Sequence, residues 1–174
     1  MMRCVNKPEI SKVVIWFYGG LAVFISALVV IFAYVGFSTS MGLLSVAVLA
    51  VLGIVEAFIL LLMRSLYRTE YIIGDDVLVI RTSRLIGGEK KIPIRAIRSV
   101  ERTLIPFGIR LFGASFHGGY YYIPSLGRAF LAITNFRDGL LIRTTEGNYL
   151  ITPRDPADFK GLLEKKVIES LGAD

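Results

Sequence analysis

The chain has 174 residues, of which 54% are hydrophobic and 20% charged, and its mean hydropathy is +0.62. This composition is too apolar for an ordinary soluble domain of this length, and it also excludes a disordered chain. A single cysteine, Cys4, and a single histidine, His117, exclude a disulfide framework, a cysteine-cluster metal site and a histidine-rich metal site.

The charged residues are segregated along the chain. Residues 13–55 contain none, a run of 43, whereas residues 64–174 hold 17 basic and 12 acidic residues. The sequence therefore predicts an N-terminal tail over residues 1–12, an apolar N-terminal third, and a remainder of about 110 residues, enough for one small domain. An apolar part confined to this third excludes a polytopic transporter.

Two apolar stretches in this third are long enough to cross a membrane. They cover residues 13–37 and 42–63, which are 25 and 22 residues long. A hydrocarbon core of about 30 Å needs about 20 residues of helix. The short segment 38–41 between them makes the two helices antiparallel neighbours. A cleaved signal peptide fits poorly, because its apolar stretch is only about 7–15 residues long. We therefore expect an integral membrane protein with two spans.

The charges that flank the spans predict their orientation. Basic residues outnumber acidic ones on both flanks: Arg3, Lys7 and Lys12 with Glu9 before the first span, and Arg64 and Arg68 after the second. The segment between the spans carries no charge. Flanks rich in lysine and arginine stay in the cytoplasm, so both termini are expected there and the turn outside the cell membrane.

Glu56 is the one ionisable residue within the second span. A charged group at that depth costs about 2.5–3.5 kcal/mol, so Glu56 is expected to face the first helix, away from lipid. Symmetry of the two helices about the turn places it near Val23, with Ser26, Gly20 and Gly19 within about one helical turn. Two interpretations remain open. Glu56 acts in a proton or ion relay or in self-association, or it is a hydrogen-bonded residue that orients the two helices.

From Tyr67 onward, short β-branched and aromatic runs alternate with glycine-rich turns, which is typical of an all-β domain. The predicted strands cover residues 70–73, 77–82, 92–94, 129–135, 139–144 and 148–152. Segment 96–103 fits either a strand or a helical turn. The glycine- and aromatic-rich stretch 112–122 contains one further extended run, Tyr120–Tyr122.

A helix is predicted at the end of the chain. Asp155 suits the N-cap, Pro156 the first helical position and Asp158 the first turn. One helical face then carries Phe159, Leu162, Leu163, Lys166 and Val167. Four of these five are apolar and would pack on the β domain. A helix after about seven strands indicates a barrel or sandwich with one end or edge closed.

Several short motifs occur in a particular order: Tyr71–Ile73, Leu78–Ile80, Ile92–Pro93, Ile97–Val100, Phe112–Gly113, Gly119–Tyr121, Thr134–Asn135, Thr152–Pro153 and Asp155–Pro156 with Phe159. Together they resemble the bacterial and archaeal pleckstrin-homology (PH-like) domain families. The resemblance implies a seven-stranded, strongly bent barrel closed by a C-terminal α-helix, placed here in a cytoplasmic domain over residues 65–174. Membrane helices that precede such a domain are also common in these families.

No catalytic or metal-binding pattern stands out in the sequence. Ser115 and His117 are two residues apart, but no Gly-x-Ser-x-Gly elbow surrounds Ser115. The segment Gly87–Lys91 shares only glycines and lysines with a phosphate-binding loop. We therefore expect a protein that is not an enzyme and has no cofactor or bound metal. A nucleic-acid partner is not expected, because membrane anchoring already accounts for the basic excess.

The remaining candidate site is a cluster of positive charge. Seven basic residues fall within 22 positions: Arg81, Arg84, Lys90, Lys91, Arg95, Arg98 and Arg102. Basic groups near an anionic leaflet contribute about 1 kcal/mol each. The hairpin residues Arg81, Arg84, Lys90 and Lys91 are therefore candidates for contact with lipid headgroups or a partner. A solvated basic face without a ligand is the alternative.

The sequence thus favours a non-enzymatic membrane protein whose PH-like domain is a scaffold or adaptor. Its expected partners are a protein, a second copy of the chain, or anionic lipid headgroups. An exposed strand edge of such a domain suits a partner that adds a strand. The alternative function is an accessory subunit of a membrane transport or enzyme complex, acting through Glu56.

Overall fold

The computed structural model describes residues 4–38, 42–84, 87–106, 108–115, 117–136 and 138–172, with only the backbone of residues 112–115. The chain divides into two compact units. One contains residues 12–64, and the other contains residues 1–11 together with residues 65–174. Of the turn predicted over residues 38–41, only Ser38 lies within the described residues.

Two long helices, α1 (Lys12–Ser38) and α2 (Gly42–Tyr67), account for the first unit. Both are long and apolar enough to cross a membrane. Most of their large apolar side chains are exposed, so this surface needs lipid or other apolar cover. Near the turn the helices approach closely, since a Cβ placed on Gly36 would lie 2.8 Å from the Cβ of Ser45. Small residues permit this approach.

The second unit contains short strands, one 3-10 turn and a terminal helix. In chain order these are β1 (Cys4–Asn6), β2 (Glu70–Ile73), β3 (Val77–Arg81), β4 (Glu89–Pro93), the 3-10 turn (Ile94–Ala96), β5 (Ile97–Thr103), β6 (Ile109–Ser115), β7 (Gly118–Ile123), β8 (Gly127–Ala132), β9 (Gly139–Thr144), β10 (Asn148–Ile151) and α3 (Pro156–Leu171).

The strands form two sheets. The smaller is antiparallel in the order β1-β2-β3-β4, and the larger has the order β5-β9-β10-β8-β7-β6. In the larger sheet β10 runs parallel to β8, and the other neighbouring pairs are antiparallel. The mainly-β domain with a C-terminal helix is therefore as predicted. The predicted seven-stranded barrel is not confirmed, because the described residues form ten strands in two sheets that do not close into one barrel.

One hydrophobic core lies between the two sheets and α3. It includes Tyr71 and Ile80 from the smaller sheet, Phe130 and Ile142 from the larger, and Phe159 from α3. The ring of Phe159 meets that of Tyr71 edge to face, with centroids 6.2 Å apart. Asp155 caps α3 as predicted, because its side chain accepts hydrogen bonds from the backbone N–H groups of Ala157 and Asp158.

A second cluster covers the opposite face of the larger sheet. Leu131, Leu141 and Leu150 are buried there, and Ile105 and Leu126 pack against them. Neighbouring residues of one strand point to opposite faces, so β8 alone supplies both clusters. Both faces of the larger sheet are therefore apolar.

Candidate functional site

The four basic residues of the predicted site lie on different parts of the β3–β4 hairpin. Arg81 lies directly opposite Glu89 in the pairing of β3 with β4, and Lys90 lies opposite Ile80. Because strand side chains alternate between faces, Arg81 and Lys91 point away from the core and Lys90 points towards it. Arg84 is exposed in the turn that follows β3. The four side chains therefore do not form one continuous basic face.

The outer face of this hairpin is an ion-pair network. The Nε of Arg81 lies 3.1 Å from Oε2 of Glu89, and its Nη1 lies 3.6 Å from Oε2 of Glu70. The Nζ of Lys91 lies 3.5 Å from Oε1 of Glu89. The hydrogen bond from Arg81 lowers the pKa of Glu89 below its usual value. Two carboxylates thus offset two cations, and little charge remains for an anionic ligand.

Lys90 belongs to a cation–aromatic cluster on the inner side. Its Nζ lies 5.1 Å from the ring centre of Tyr120 and 5.4 Å from that of Phe130. The guanidinium carbon of Arg128 lies 4.7 Å from the same Tyr120 ring. Cations at these distances are attracted by the ring electrons. Lys90 therefore helps to hold the smaller sheet against the larger one.

A threonine hydroxyl and a closely packed glycine hold the two ends of the hairpin turn. The hydroxyl of Thr82 donates to the carbonyl of Gly88 at 2.6 Å. Gly87 lies against Phe130: a Cβ on Gly87 would sit 2.6 Å from a ring carbon of Phe130, and the φ of 154° is one that other residues rarely adopt. Arg84 thus lies three residues before a glycine that packs on the core.

Glu56, the predicted intramembrane polar residue, is paired with the other helix. The hydroxyl of Ser26 on α1 donates to Oε1 of Glu56 on α2 at 2.5 Å. Ser26 is one of the three residues that were expected within about one helical turn of Val23, the predicted neighbour of Glu56. The contact joins residues 30 positions apart and satisfies part of the hydrogen-bonding capacity of the carboxyl group, as an apolar setting requires.

The N-terminal segment contributes a contact surface that the sequence did not indicate. Residues 4–6 form β1 and pair antiparallel with β2, Asn6 opposite Tyr71. The chain then follows the larger sheet, with a bridge between Pro8 and Pro153 and a 3.0 Å hydrogen bond from the Ser11 N–H to the Thr134 carbonyl. Residues 4–11 therefore form a strap across both sheets. The sequence did not indicate β1, because a strand of three residues is too short to show the alternation of apolar and polar residues.

Buried hydroxyl groups hold this strap in place. The hydroxyl of Thr134 donates to the carbonyl of Glu9 at 2.8 Å and lies 3.2 Å from the hydroxyl of Thr152. The hydroxyl of Tyr71 donates to the Ala132 carbonyl at 2.7 Å and accepts from the Thr152 N–H at 3.3 Å. Burial raises the pKa of Tyr71 to about 12. This network links the strap, the smaller sheet and the larger sheet.

His117, the only histidine, is 4% exposed in the β6–β7 turn. Its ring lies 5.6 Å from the ring of Phe136. Its carbonyl accepts a hydrogen bond from the Ile133 N–H at 2.8 Å. Burial lowers the pKa of His117 to about 4, so the ring is neutral at neutral pH. His117 thus joins the β6–β7 turn to the segment after β8.

The described residues contain no group of three or more His, Cys, Asp or Glu side chains that could hold a metal ion. Comparison with curated proteins and with solved structures gives no match. A family model described as "Bacterial PH domain" matches residues 69–167, more than half of the chain. This match covers the chain from just before β2 to the last turns of α3, and the chain therefore belongs to the bacterial PH domain family.

Proposed function

We propose that the chain is an integral membrane protein whose two spans hold a PH domain at the cytoplasmic face, where it acts as a non-enzymatic scaffold or adaptor. The observation that carries this proposal is the strap. Residues 4–11 and the PH domain belong to one compact unit, and the two apolar helices lie between them in the sequence. A chain that leaves this unit through one helix and returns through the other crosses the membrane twice.

The edge of the larger sheet supports a protein partner. The strand β6 is the last in its sheet, and its exposed side chains Ile109 and Leu111 lie beside exposed Tyr122 of β7. An edge strand with free backbone groups and apolar side chains is suited to a partner that adds a strand. The β3–β4 hairpin supports a lipid partner less well, because Glu70 and Glu89 offset its cations.

Photo-cross-linking of the full-length protein in cell membranes tests the scaffold role. A benzophenone amino acid replaces Ile109, which is 70% exposed on β6, or Ile168, which is 71% exposed on α3 and serves as the matched control. We expect a discrete adduct with one protein from position 109 and not from position 168. No adduct from position 109, or the same adducts from both positions, would argue against a partner at this edge.

The alternative function acts through Glu56, the one ionisable residue of the second span, although its hydrogen bond with Ser26 equally fits a residue that orients the two helices. In that case the chain is an accessory subunit of a transport or enzyme complex. A Glu56→Gln variant that inserts normally should then change an ion flux or an activity of the complex. Unchanged flux and activity would leave Glu56 with a structural role.

A further inference from the structure

The residues that precede α1 are bonded to the segment that follows β8. The Ser11 N–H donates to the Thr134 carbonyl at 3.0 Å, and the Thr134 hydroxyl donates to the Glu9 carbonyl at 2.8 Å. The helix α1 begins at the next residue, Lys12. If α1 crosses the membrane, as proposed above, the chain enters the bilayer soon after the residues that are bonded to Thr134.

The end of α2 leads to the same end of the domain. Strand β1 runs antiparallel to β2, with Cys4 opposite Ile73 and Asn6 opposite Tyr71. The chain after Asn6 and the chain before Tyr71 therefore leave this sheet at one end, the former towards α1 and the latter towards α2. We call this end, formed by Lys7–Ser11, Arg68–Thr69 and 133–136, the juxtamembrane end.

The juxtamembrane end exposes an aromatic ring. Phe136 follows Thr134 by two residues and is 50% exposed. One side of its ring is held by buried His117, at a centroid distance of 5.6 Å. A fixed and half-exposed aromatic ring is suited to the bilayer interface, where aromatic residues are enriched.

Cations surround the same end. Lys7 and Arg68 are exposed there, and exposed Arg154 is adjacent because its N–H donates to Oδ1 of Asn6 at 3.2 Å. Glu9 of the strap and Asp155, next to Arg154, are exposed acids of the same set. Three cations thus face two acids here, whereas cations and acids are equal in number in the network of the β3–β4 hairpin. Cations near a bilayer are attracted to anionic headgroups.

We propose that the juxtamembrane end is a lipid-binding surface, with Phe136 in the interfacial layer and Lys7, Arg68 and Arg154 at anionic headgroups. The surface rests on the proposed two spans, because these fix where the domain meets the bilayer. It differs from the β3–β4 hairpin, which carries the cations predicted from sequence. Strand β2 leads from the juxtamembrane end to the Asp75 turn, and Lys166 of α3 reaches that turn at 3.4 Å. Ile168 therefore marks the opposite end of the domain.

Tryptophan quenching in nanodiscs tests the surface, since Trp16 is the only tryptophan. The full-length Trp16→Phe protein receives one new tryptophan: Phe136→Trp at the surface, Ile168→Trp as the distal control, or Val23→Trp within α1. Nanodiscs contain phosphatidylcholine and phosphatidylglycerol, with or without bromine near the headgroup end of the acyl chains. We expect bromine to lower the emission of Phe136→Trp about twofold, because an interfacial ring lies within its reach. Emission of Ile168→Trp should not change.

The third variant separates this inference from the proposed function. Quenching of Val23→Trp by lipids brominated deeper in the chain, without quenching of Phe136→Trp, leaves the spans intact and overturns the lipid-binding surface. Equal quenching of Phe136→Trp and Ile168→Trp also overturns it, since no particular end then faces lipid. Absence of quenching at Val23→Trp would contradict the two membrane spans, and the lipid-binding surface that rests on them would be contradicted as well.

Discussion

The hydroxyl of Thr134 donates a hydrogen bond to the carbonyl of Glu9 at 2.8 Å, although 125 residues separate the two in the sequence. This bond attaches the N-terminal strap to the larger sheet of the PH domain. Together with the pairing of β1 and β2, it joins residues 4–11 to the compact unit that contains residues 65–174, and both apolar helices lie between these two segments in the sequence. The strap is thus part of the domain that follows the helices.

Removing the Thr134 hydroxyl should loosen the strap. A Thr134→Val variant keeps the shape of the side chain but leaves the part-buried Glu9 carbonyl without its donor, which costs about 1–3 kcal/mol. We expect faster amide hydrogen exchange over residues 4–11 and a lower unfolding free energy in detergent. Thr145→Val, at an exposed position, is the control. Unchanged exchange in the strap would mean that Thr134 does not hold it.

The Tyr71 hydroxyl should contribute to the contact between the two sheets. Tyr71→Phe leaves the Ala132 carbonyl and the Thr152 N–H without this partner, and we expect a loss of about 1–3 kcal/mol in urea unfolding. Tyr122→Phe, at an exposed ring, should change stability by less than about 0.5 kcal/mol. Equal effects of the two substitutions would contradict a bridging role for Tyr71.

Alkaline unfolding should also depend on Tyr71. Burial raises the folded-state pKa of Tyr71 to about 12, above the usual tyrosine value of 10.0. The stability contributed by the neutral phenol is therefore complete below about pH 10 and lost as pH rises towards 12. The Tyr71→Phe protein should lose this part of its pH dependence, which unfolding at pH 9 and pH 11 would detect. An unchanged difference between these two pH values would refute the assignment.

Acid should destabilise the domain through His117. Burial lowers its folded-state pKa to about 4, below the usual histidine value of 6.5, so between these pH values the unfolded chain binds a proton that the folded chain does not. Stability is complete above about pH 6.5 and falls by roughly 3 kcal/mol as pH decreases to 4. Comparison with His117→Gln isolates the contribution of His117 to the pH dependence of stability, because the other groups titrate alike in both proteins. Parallel stability curves for the two proteins would contradict it.

The Ser26–Glu56 bond should stabilise the helix pair. Ser26→Ala leaves the Glu56 carboxyl without this donor, and interhelical hydrogen bonds of this kind contribute about 0.6–2 kcal/mol. The helix pair should then unfold at a lower fraction of dodecyl sulfate in mixed micelles. In the control, Ser38→Ala, only a bond to the Tyr34 carbonyl within α1 is lost. If both variants unfold like the parent, the bond does not contribute measurably.

Local sequence patterns were sufficient to predict the helices of the fold. The two apolar stretches gave helices close to the predicted limits, and Asp155 with Pro156 marked the start of α3, because length, capping and φ restriction act within a few residues. The β1 strand was missed because its partner β2 lies some 65 residues further along the chain. The seven-stranded barrel was not confirmed, because strand number and sheet closure depend on such distant pairings.

The arrangement of the four candidate basic residues could be predicted from the sequence only in part. Glu89, Lys90 and Lys91 are three charged residues in succession and show no alternation in the sequence. Only the pairing of β4 with β3 places Lys90 and Lys91 on opposite faces. The pairing of Arg81 with both Glu70 and Glu89 required the register of three strands, which the sequence did not supply. Counting cations therefore overstated the charge available on this hairpin.

Sided labelling of cysteines tests the two-span account most directly. Cys4, the only cysteine, is exposed on the strap. In a Cys4→Ser background, Ile168→Cys reports on the PH domain and Ser40→Cys on the segment between the helices. A membrane-impermeant maleimide is applied to sealed vesicles of known orientation. We predict that Cys4 and Ile168→Cys react from the cytoplasmic side only, and Ser40→Cys from the other side only. Labelling of all three from one side, or of Cys4 and Ile168→Cys from opposite sides, would contradict two spans that return the chain to a single domain.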